Sequence, residues 1–290
     1  ACWAIAELAA HDVDAALDLT SADAVLTIVA AAVDGNADGK QNACYALQVL
    51  MSKHGSVADV VAAHDGVALL LGIVRRGSLT ARGVACWALF ELVRCIPAAG
   101  ADVVAAGGVE ALLAVAREGC PLGRQNASAA LRVVMAQHTA AAADVAAAGG
   151  VAALLDVAAG GSPDARSQAA WALAELMPHA SDAVADVAGA GGAATLLAIA
   201  RDGAREGRQN ACLALRVLME RDAESAAVVA AADGVATLLD VITTGSTGAS
   251  GGACWTLAAL MSRHPPSAAD ATARGAVPAL LTAAASTDDV

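Results

Sequence analysis

Apolar positions in this chain follow two periods at once, a helical one over a few residues and a long one over the whole sequence. The phrase ACWAIAEL at Ala1 returns as ACYALQVL at Ala43, ACWALFEL at Ala85, ASAALRVV at Ala127, AAWALAEL at Ala169, ACLALRVL at Ala211 and ACWTLAAL at Ala253, each start 42 residues after the last. No insertion or deletion separates the copies, so the chain is a stack of one supersecondary unit. Leu47, Leu89, Leu131, Leu173, Leu215 and Leu257 keep step with Met51, Met135, Met177, Met219 and Met261 one turn later. That spacing predicts a helix with a buried stripe on one face.

Paired leucines at Leu70/Leu71, Leu112/Leu113, Leu154/Leu155, Leu196/Leu197, Leu238/Leu239 and Leu280/Leu281 predict a second helix in each unit. A shorter segment before it, as in AGADVVAAGG around Asp102, predicts a first. Glycine opens the second helix at Gly66, Gly108, Gly150, Gly192 and Gly234 and follows it at Gly35, Gly77, Gly119, Gly161, Gly203 and Gly245. Because glycine accepts the left-handed conformation that ends helices, these positions predict two corners per unit. The clearest start signal of the third helix is Ser162-Pro163-Asp164, a cap followed by proline and an acid. Six full units, 11–52, 53–94, 95–136, 137–178, 179–220 and 221–262, follow a lone last helix, 1–10, and precede a partial unit, 263–290. Together they read as a single array over 1–290, expected to be a piece of a longer one.

The chain is 58% hydrophobic, yet its apolar runs break well before the ~18 residues of a membrane span, so the apolar residues are expected between layers of a soluble protein. A net charge of −12 argues against phosphate-backbone binding, hence against nucleic acid. Cys2, Cys44, Cys86, Cys212 and Cys254 share one phase, held elsewhere by Ser128 and Ala170, so the position asks for a small side chain. Helices about 8–10 Å apart cannot be bridged by a disulfide, which needs Cα atoms within ~7 Å. Free buried thiols and an intracellular, reducing compartment, cytoplasmic or nuclear, are expected.

Three helices in 42 residues, with GAVPALL at Gly275–Leu281 opening the second and SQAAWALAELM at Ser167–Met177 forming the third, resemble the armadillo repeat along the whole chain. HEAT repeats, the nearest competitor, normally have two helices per unit. The resemblance implies an all-α, right-handed alpha-solenoid superhelix of three-helix repeats. It also implies a concave groove lined by third helices, where a Trp and an Asn four residues later hold an extended peptide. Here that pair maps onto Trp3/Glu7, Trp87/Glu91 and Trp171/Glu175, with Trp255/Ala259 as a decayed copy. The geometry survives at i and i+4, but a glutamate only accepts hydrogen bonds and suits a cation better than a peptide backbone. Tyr45/Val49, Ala129/Val133 and Leu213/Val217 lack the pair, so the superperiod is 84 residues.

Trp at one phase, exchanged elsewhere for Tyr, Ala or Leu, suits a surface groove better than a core, where losing the ring leaves a costly cavity. The expected peptide-binding residues are therefore Trp3, Glu7, Tyr45, Trp87, Glu91, Trp171, Glu175, Trp255, Arg132 and Arg216. A basic row, Lys40, Arg82, Arg124, Arg166 and Arg208, sits where the helix dipole disfavours a cation. It predicts either bridges to acids such as Glu118 and Glu206 or a positive groove rim, together with Asn42, Asn126 and Asn210, which helix capping explains equally well.

No histidine recurs at metal-ligand spacing and no serine elbow, P-loop or dinucleotide pattern is present, so no catalytic residue, metal or cofactor is expected. The expected function is a non-enzymatic protein–protein interaction module for an extended, basic or mixed-charge peptide. The alternative is a structural scaffold or spacer. Partners are then proteins or peptides, with no nucleic acid and no membrane. Residues 1–10 supply the helix that 263–290 lacks, so head-to-tail self-association is a further expectation.

Overall fold

The computed structural model describes residues 1–285, less the side chains of 13–15. Its contacts divide the chain into two compact units, Ala1–Ala148 and Gly149–Val290. The first holds α1 (Cys2–His11), α2 (Val13–Asp18), α3 (Ala22–Asp34), α4 (Ala37–Lys53), α5 (Ser56–Ala63), α6 (Gly66–Arg76), α7 (Leu79–Cys95), α8 (Ala99–Ala105), α9 (Gly108–Glu118), α10 (Pro121–Gln137) and α11 (Ala141–Ala147). The second holds α12 (Gly150–Gly160), α13 (Pro163–His179), α14 (Ser181–Gly189), α15 (Gly192–Asp202), α16 (Arg205–Arg221), α17 (Ala223–Ala231), α18 (Gly234–Thr244), α19 (Thr247–Arg263), α20 (Pro266–Ala273) and α21 (Ala276–Ala285). Residues 286–290 of the last partial repeat lie outside the described residues.

The three expected helices per repeat are present. Third helices stack directly, α1 on α4, α7 and α10 in the first unit, and α13 on α16 and α19 in the second. Their leucine row is buried from Leu47 to Leu257, and Met51, Met135, Met177 and Met219 are wholly buried beneath it, while Met261 is half-buried. Ser162 caps α13 by accepting from Ala165 N, and Ser78 and Ser246 do the same for α7 and α19. Among the described residues no single helix is long and apolar enough to cross a membrane.

The corners differ from the sequence expectation in which residue turns them. First and second helices meet at 80° and 82° in the first unit and at 76° and 80° in the second. The left-handed residue at these bends precedes the recurrent glycine: Asp65, Gly107, Gly191 and Asp233, with φ of 54°, 66°, 74° and 63°. Gly66 and Gly234 are helical themselves, and glycine is needed because a Cβ would lie 2.5 Å from the carbonyl oxygens of Val61 and Val229. The second glycines, such as Gly77 and Gly119, are extended at φ −70° and −69°, with a Cβ 2.7 and 2.4 Å from the oxygens of Ile73 and Val115. At the recurrent positions, Gly66 and Gly77 and their equivalents, glycine is therefore selected by close approach of backbone rather than by positive φ.

The shared cysteine phase faces the layer interface. Cys44, Cys86 and Cys212 are free and wholly buried. Burial pushes the thiols of Cys44 and Cys212 from 9.0 up to about 12, and raises that of Cys86 too. The folded core thus holds the neutral thiol, whereas the unfolded chain ionises above pH 9, so the stabilisation is complete below pH 9 and is lost as pH rises towards 12. Two measurements follow. The urea midpoint should fall between pH 9 and 11, and fall less in a Cys44→Ala/Cys212→Ala protein, since Ala170 already fills this phase. Gly234→Ala should lose about 1–3 kcal/mol in urea unfolding. Gly251→Ala, whose Cβ meets nothing within 4 Å, should be neutral or gain up to ~1 kcal/mol.

Candidate functional site

The basic row is spent on backbone. Nε of Arg82, Arg124, Arg166 and Arg208 donates to the carbonyl eight residues earlier, on Val74, Ala116, Ala158 and Ala200, at 2.9, 3.2, 3.2 and 3.2 Å. Ser250, the break in the row, sends its Oγ to Ile242 O at 2.8 Å and so keeps the same bond. These acceptors end the second helices, where unpaired carbonyls and the dipole both favour a cation. What holds each Nε is therefore a helix C-terminus, not Glu118 or Glu206. Arg208 also pairs with Asp240 at 2.6 Å. Lys40 is half-buried in a separate hollow beside Ile73 and Arg76.

A second arginine row, not singled out from the sequence, does the same between layers. Arg75 donates to Gly107 O at 3.0 Å, Arg117 to Ala148 O at 2.6 Å and Arg201 to Ala232 O at 3.2 Å, each ending a first helix of the next layer. Their shared 42-residue phase was the available signal.

Asn126 and Asn210 are buried and clasp the neighbouring third helix instead of capping their own. Nδ2 of Asn126 donates to Gly83 O at 2.9 Å, and Nδ2 of Asn210 donates to Ser167 O at 3.3 Å and to its Oγ at 3.0 Å. The approach is close because a Cβ on Gly83 would sit 2.8 Å from Gly123 Cα. Asn42, at the same phase, is half-buried.

The tryptophan phase opens outward from this interlock. Trp3 and Trp255 are 61% and 72% exposed, Tyr45, Trp87, Trp171 and Leu213 are half-buried, and only Ala129 is sealed. Each unit has a cleft across three stacked third helices. In the first unit Tyr45, Gln48, Val84, Trp87, Leu122, Gln125 and Asn126 line about 310 Å³. In the second Trp171, Gln209, Asn210, Leu213, Arg216, Gly248, Gly252 and Trp255 line about 440 Å³. Trp87 packs on Phe90 with centroids 4.8 Å apart, and the Arg132 guanidinium lies 5.5 Å from the centre of that ring.

The glutamates meet bases of their own helices. Glu91, expected to face a ligand cation, is only 5% exposed and already holds Arg94, with Nη2 at 2.7 Å and Nε at 2.8 Å. This hydrogen bond raises the pKa of Arg94 above its ordinary value. Glu7 stands 3.6 Å from His11 and Glu175 3.9 Å from His179, while Arg216 binds Glu220 at 2.8 Å. Glu7 and Glu175 remain half-buried.

No family model matches the sequence, and no curated protein does. Solved structures do. An engineered protein from a structural genomics programme superposes with a TM-score of 0.81 at 22% identity, over 96% of this chain and 68% of its own. A computationally designed armadillo repeat protein for modular peptide recognition gives 0.67 at 16%, over 80% and 98%. The fold is an armadillo-like alpha-solenoid. A designed armadillo repeat protein in complex with the peptide (KR)4 gives 0.66 at 16%, over 81% of this armadillo-like chain and 98% of its own.

The interlock makes its own prediction. Asn210→Ala removes both bonds to Ser167 from a buried contact and should lower stability by about 1–3 kcal/mol in urea unfolding. Leu213→Ala, at a half-buried position beside it, should cost less than the 2–5 kcal/mol range of a sealed leucine.

Proposed function

We propose that this armadillo-like chain is a non-enzymatic interaction module that holds an extended protein segment of mixed charge in its third-helix clefts. The observation that carries the reading is the recurrence of an aromatic-walled cleft at equivalent phases of both units, in the set Tyr45, Trp87 and Asn126 and in the set Trp171, Leu213 and Gly252. Solvent-open apolar walls with a few amides are the usual make-up of a binding cleft. Gln48 and Gln125 in one cleft and Gln209 in the other can both donate to and accept from a peptide backbone, the task a glutamate at Trp+4 cannot do.

Mixed charge follows from alternation. Glu7 and Glu175 flank the tryptophan phase in alternate repeats, while Arg132 and Arg216 flank it in the others. The net charge of −12 draws a basic segment towards the surface, and the designed armadillo neighbour with bound (KR)4 supports an extended, lysine- and arginine-bearing partner. The buried free thiols support a reducing compartment, cytoplasmic or nuclear.

Calorimetric titration with extended peptides, among them (KR)4 and sequences alternating Lys, Glu and Leu, tests this. Trp87→Ala with Trp171→Ala should weaken the best binder by ~2 kcal/mol, about thirtyfold, with helicity and melting little changed. If no peptide binds, the chain acts as a scaffold or spacer; if melting collapses, the rings are core.

A further inference from the structure

The two clefts are not alike, and the difference lies in one stretch of α19. Where the preceding repeat has Arg208-Gln209-Asn210, this one has Ser250-Gly251-Gly252, and Gly248 lies one turn earlier. Three glycines inside a seventeen-residue helix disfavour that helix. They also remove the asparagine clasp. Asn126 and Asn210 each bond residues 43 positions back, on Gly83 and Ser167, and the corresponding carbonyl here is Gln209 O. A Cβ on Gly252 would stand 3.9 Å from that oxygen, so an asparagine would reach it without a clash. Thr256 substitutes for the lost clasp from deeper in the interface, donating through Oγ1 to Cys212 O at 2.8 Å. The layer stays joined while the outer wall is cut away. Trp255, at the phase of the sealed Ala129, then stands 72% exposed at the edge of the larger cleft, about 440 Å³ against about 310 Å³.

The charge of this cleft is also specific. Among the described residues its only charged lining residue is Arg216, and none of them brings a carboxylate to it. A lysine or arginine entering it would meet like charge in a partly desolvated site, whereas an aromatic ring would meet Trp171, Leu213 and Trp255. A carboxylate beside that ring would lie towards Arg216, whose Nη1 is shared with Glu220 at 2.8 and 3.1 Å. Resting on the peptide-binding reading above, we infer that the glycine-opened cleft of the second unit is an anchor site for an aromatic side chain flanked by an acidic residue. It thereby fixes the register of the bound segment. The cleft volume falls within the ~300–1,000 Å³ of small-ligand sites, which gives a ring room to enter rather than lie across the surface.

The test uses acetylated dodecamers alternating Lys, Glu and Ser that differ only at a central residue, Phe, Trp, Leu, Lys or Ala, each with Glu or Lys as its neighbour. Affinities are measured for the wild-type chain, Gly252→Asn and Gly251→Ala. Gly252→Asn restores the clasp and narrows the cleft, while the Cβ of Gly251→Ala points into open space and reports on helix stiffening alone. Phe or Trp beside Glu should bind about tenfold more tightly than Lys at the centre. Gly252→Asn should erase that preference, and Gly251→Ala should keep it. Binding without a central preference, a preference for Lys, or a preference that survives Gly252→Asn would overturn the anchor site and leave the peptide-binding reading standing. If no member of the panel binds to any variant, both readings fall.

Discussion

Helix ends are the constraint on which this structure turns. Each repeat breaks its chain into three helices, and every C-terminus brings carbonyls that its own helix cannot satisfy. The chain answers with side chains placed at the repeat period. Arg82, Arg124, Arg166, Arg208 and Ser250 close the second helices, and Arg75, Arg117 and Arg201 close first helices of the following layer. Glycines allow the approach, since a Cβ at Gly119 would strike the backbone it turns beneath. Leucine and methionine then fill what these bonds align. An unmet buried carbonyl costs about 1–3 kcal/mol, so a row of them would outweigh the packing gained by any one side chain.

The same division of labour frees the outer face of the third helices. Because the layers are joined by backbone closures, by Asn126 and Asn210, and by the sealed leucine row, the tryptophan phase is not needed for cohesion. It accepts Trp87, Ala129, Leu213 or Trp255 without disturbing the stack. A surface so released from packing can vary in size and charge from repeat to repeat, which is what an interaction module requires. The clefts are where that variation shows, with glutamine and Arg216 added to aromatic walls.

Much of this was legible in the sequence. The period, the three helices, the buried leucine and methionine rows and the outward turn of the tryptophan phase follow from spacing on a single helix, which the 3.6-residue turn fixes. Most of the errors concern what a neighbouring element presents. Glycine at Gly66 and Gly234 was expected to supply positive φ, yet Asp65 and Asp233 carry it, because the demand comes from the carbonyls of Val61 and Val229. Asn126, expected as a cap or a groove residue, does line a cleft, but its amide is held by Gly83 O of the neighbouring third helix rather than by its own helix end. The basic row looked unfavourable at the start of a helix, and only the end of the helix beside it explains the charge. Glu91 was read as open to a ligand cation because Trp87 lies one turn away, but Arg94 on the same helix reaches it first. Phase within a helix shows where a side chain points; it does not show whose backbone it meets.

The central claim is that the third-helix face binds while the interior only holds. The chain offers four indoles, Trp3, Trp87, Trp171 and Trp255, which give a sparse and readable set of indole N–H signals. Titrating isotope-labelled protein with the tightest-binding extended peptide and following those signals together with backbone amides tests the claim. The account predicts that the indoles of Trp87, Trp171 and Trp255 shift on binding while amides of the buried second helices, such as Leu112 and Leu196, stay in place. Binding that leaves all three indoles unmoved and shifts the second helices instead would contradict it.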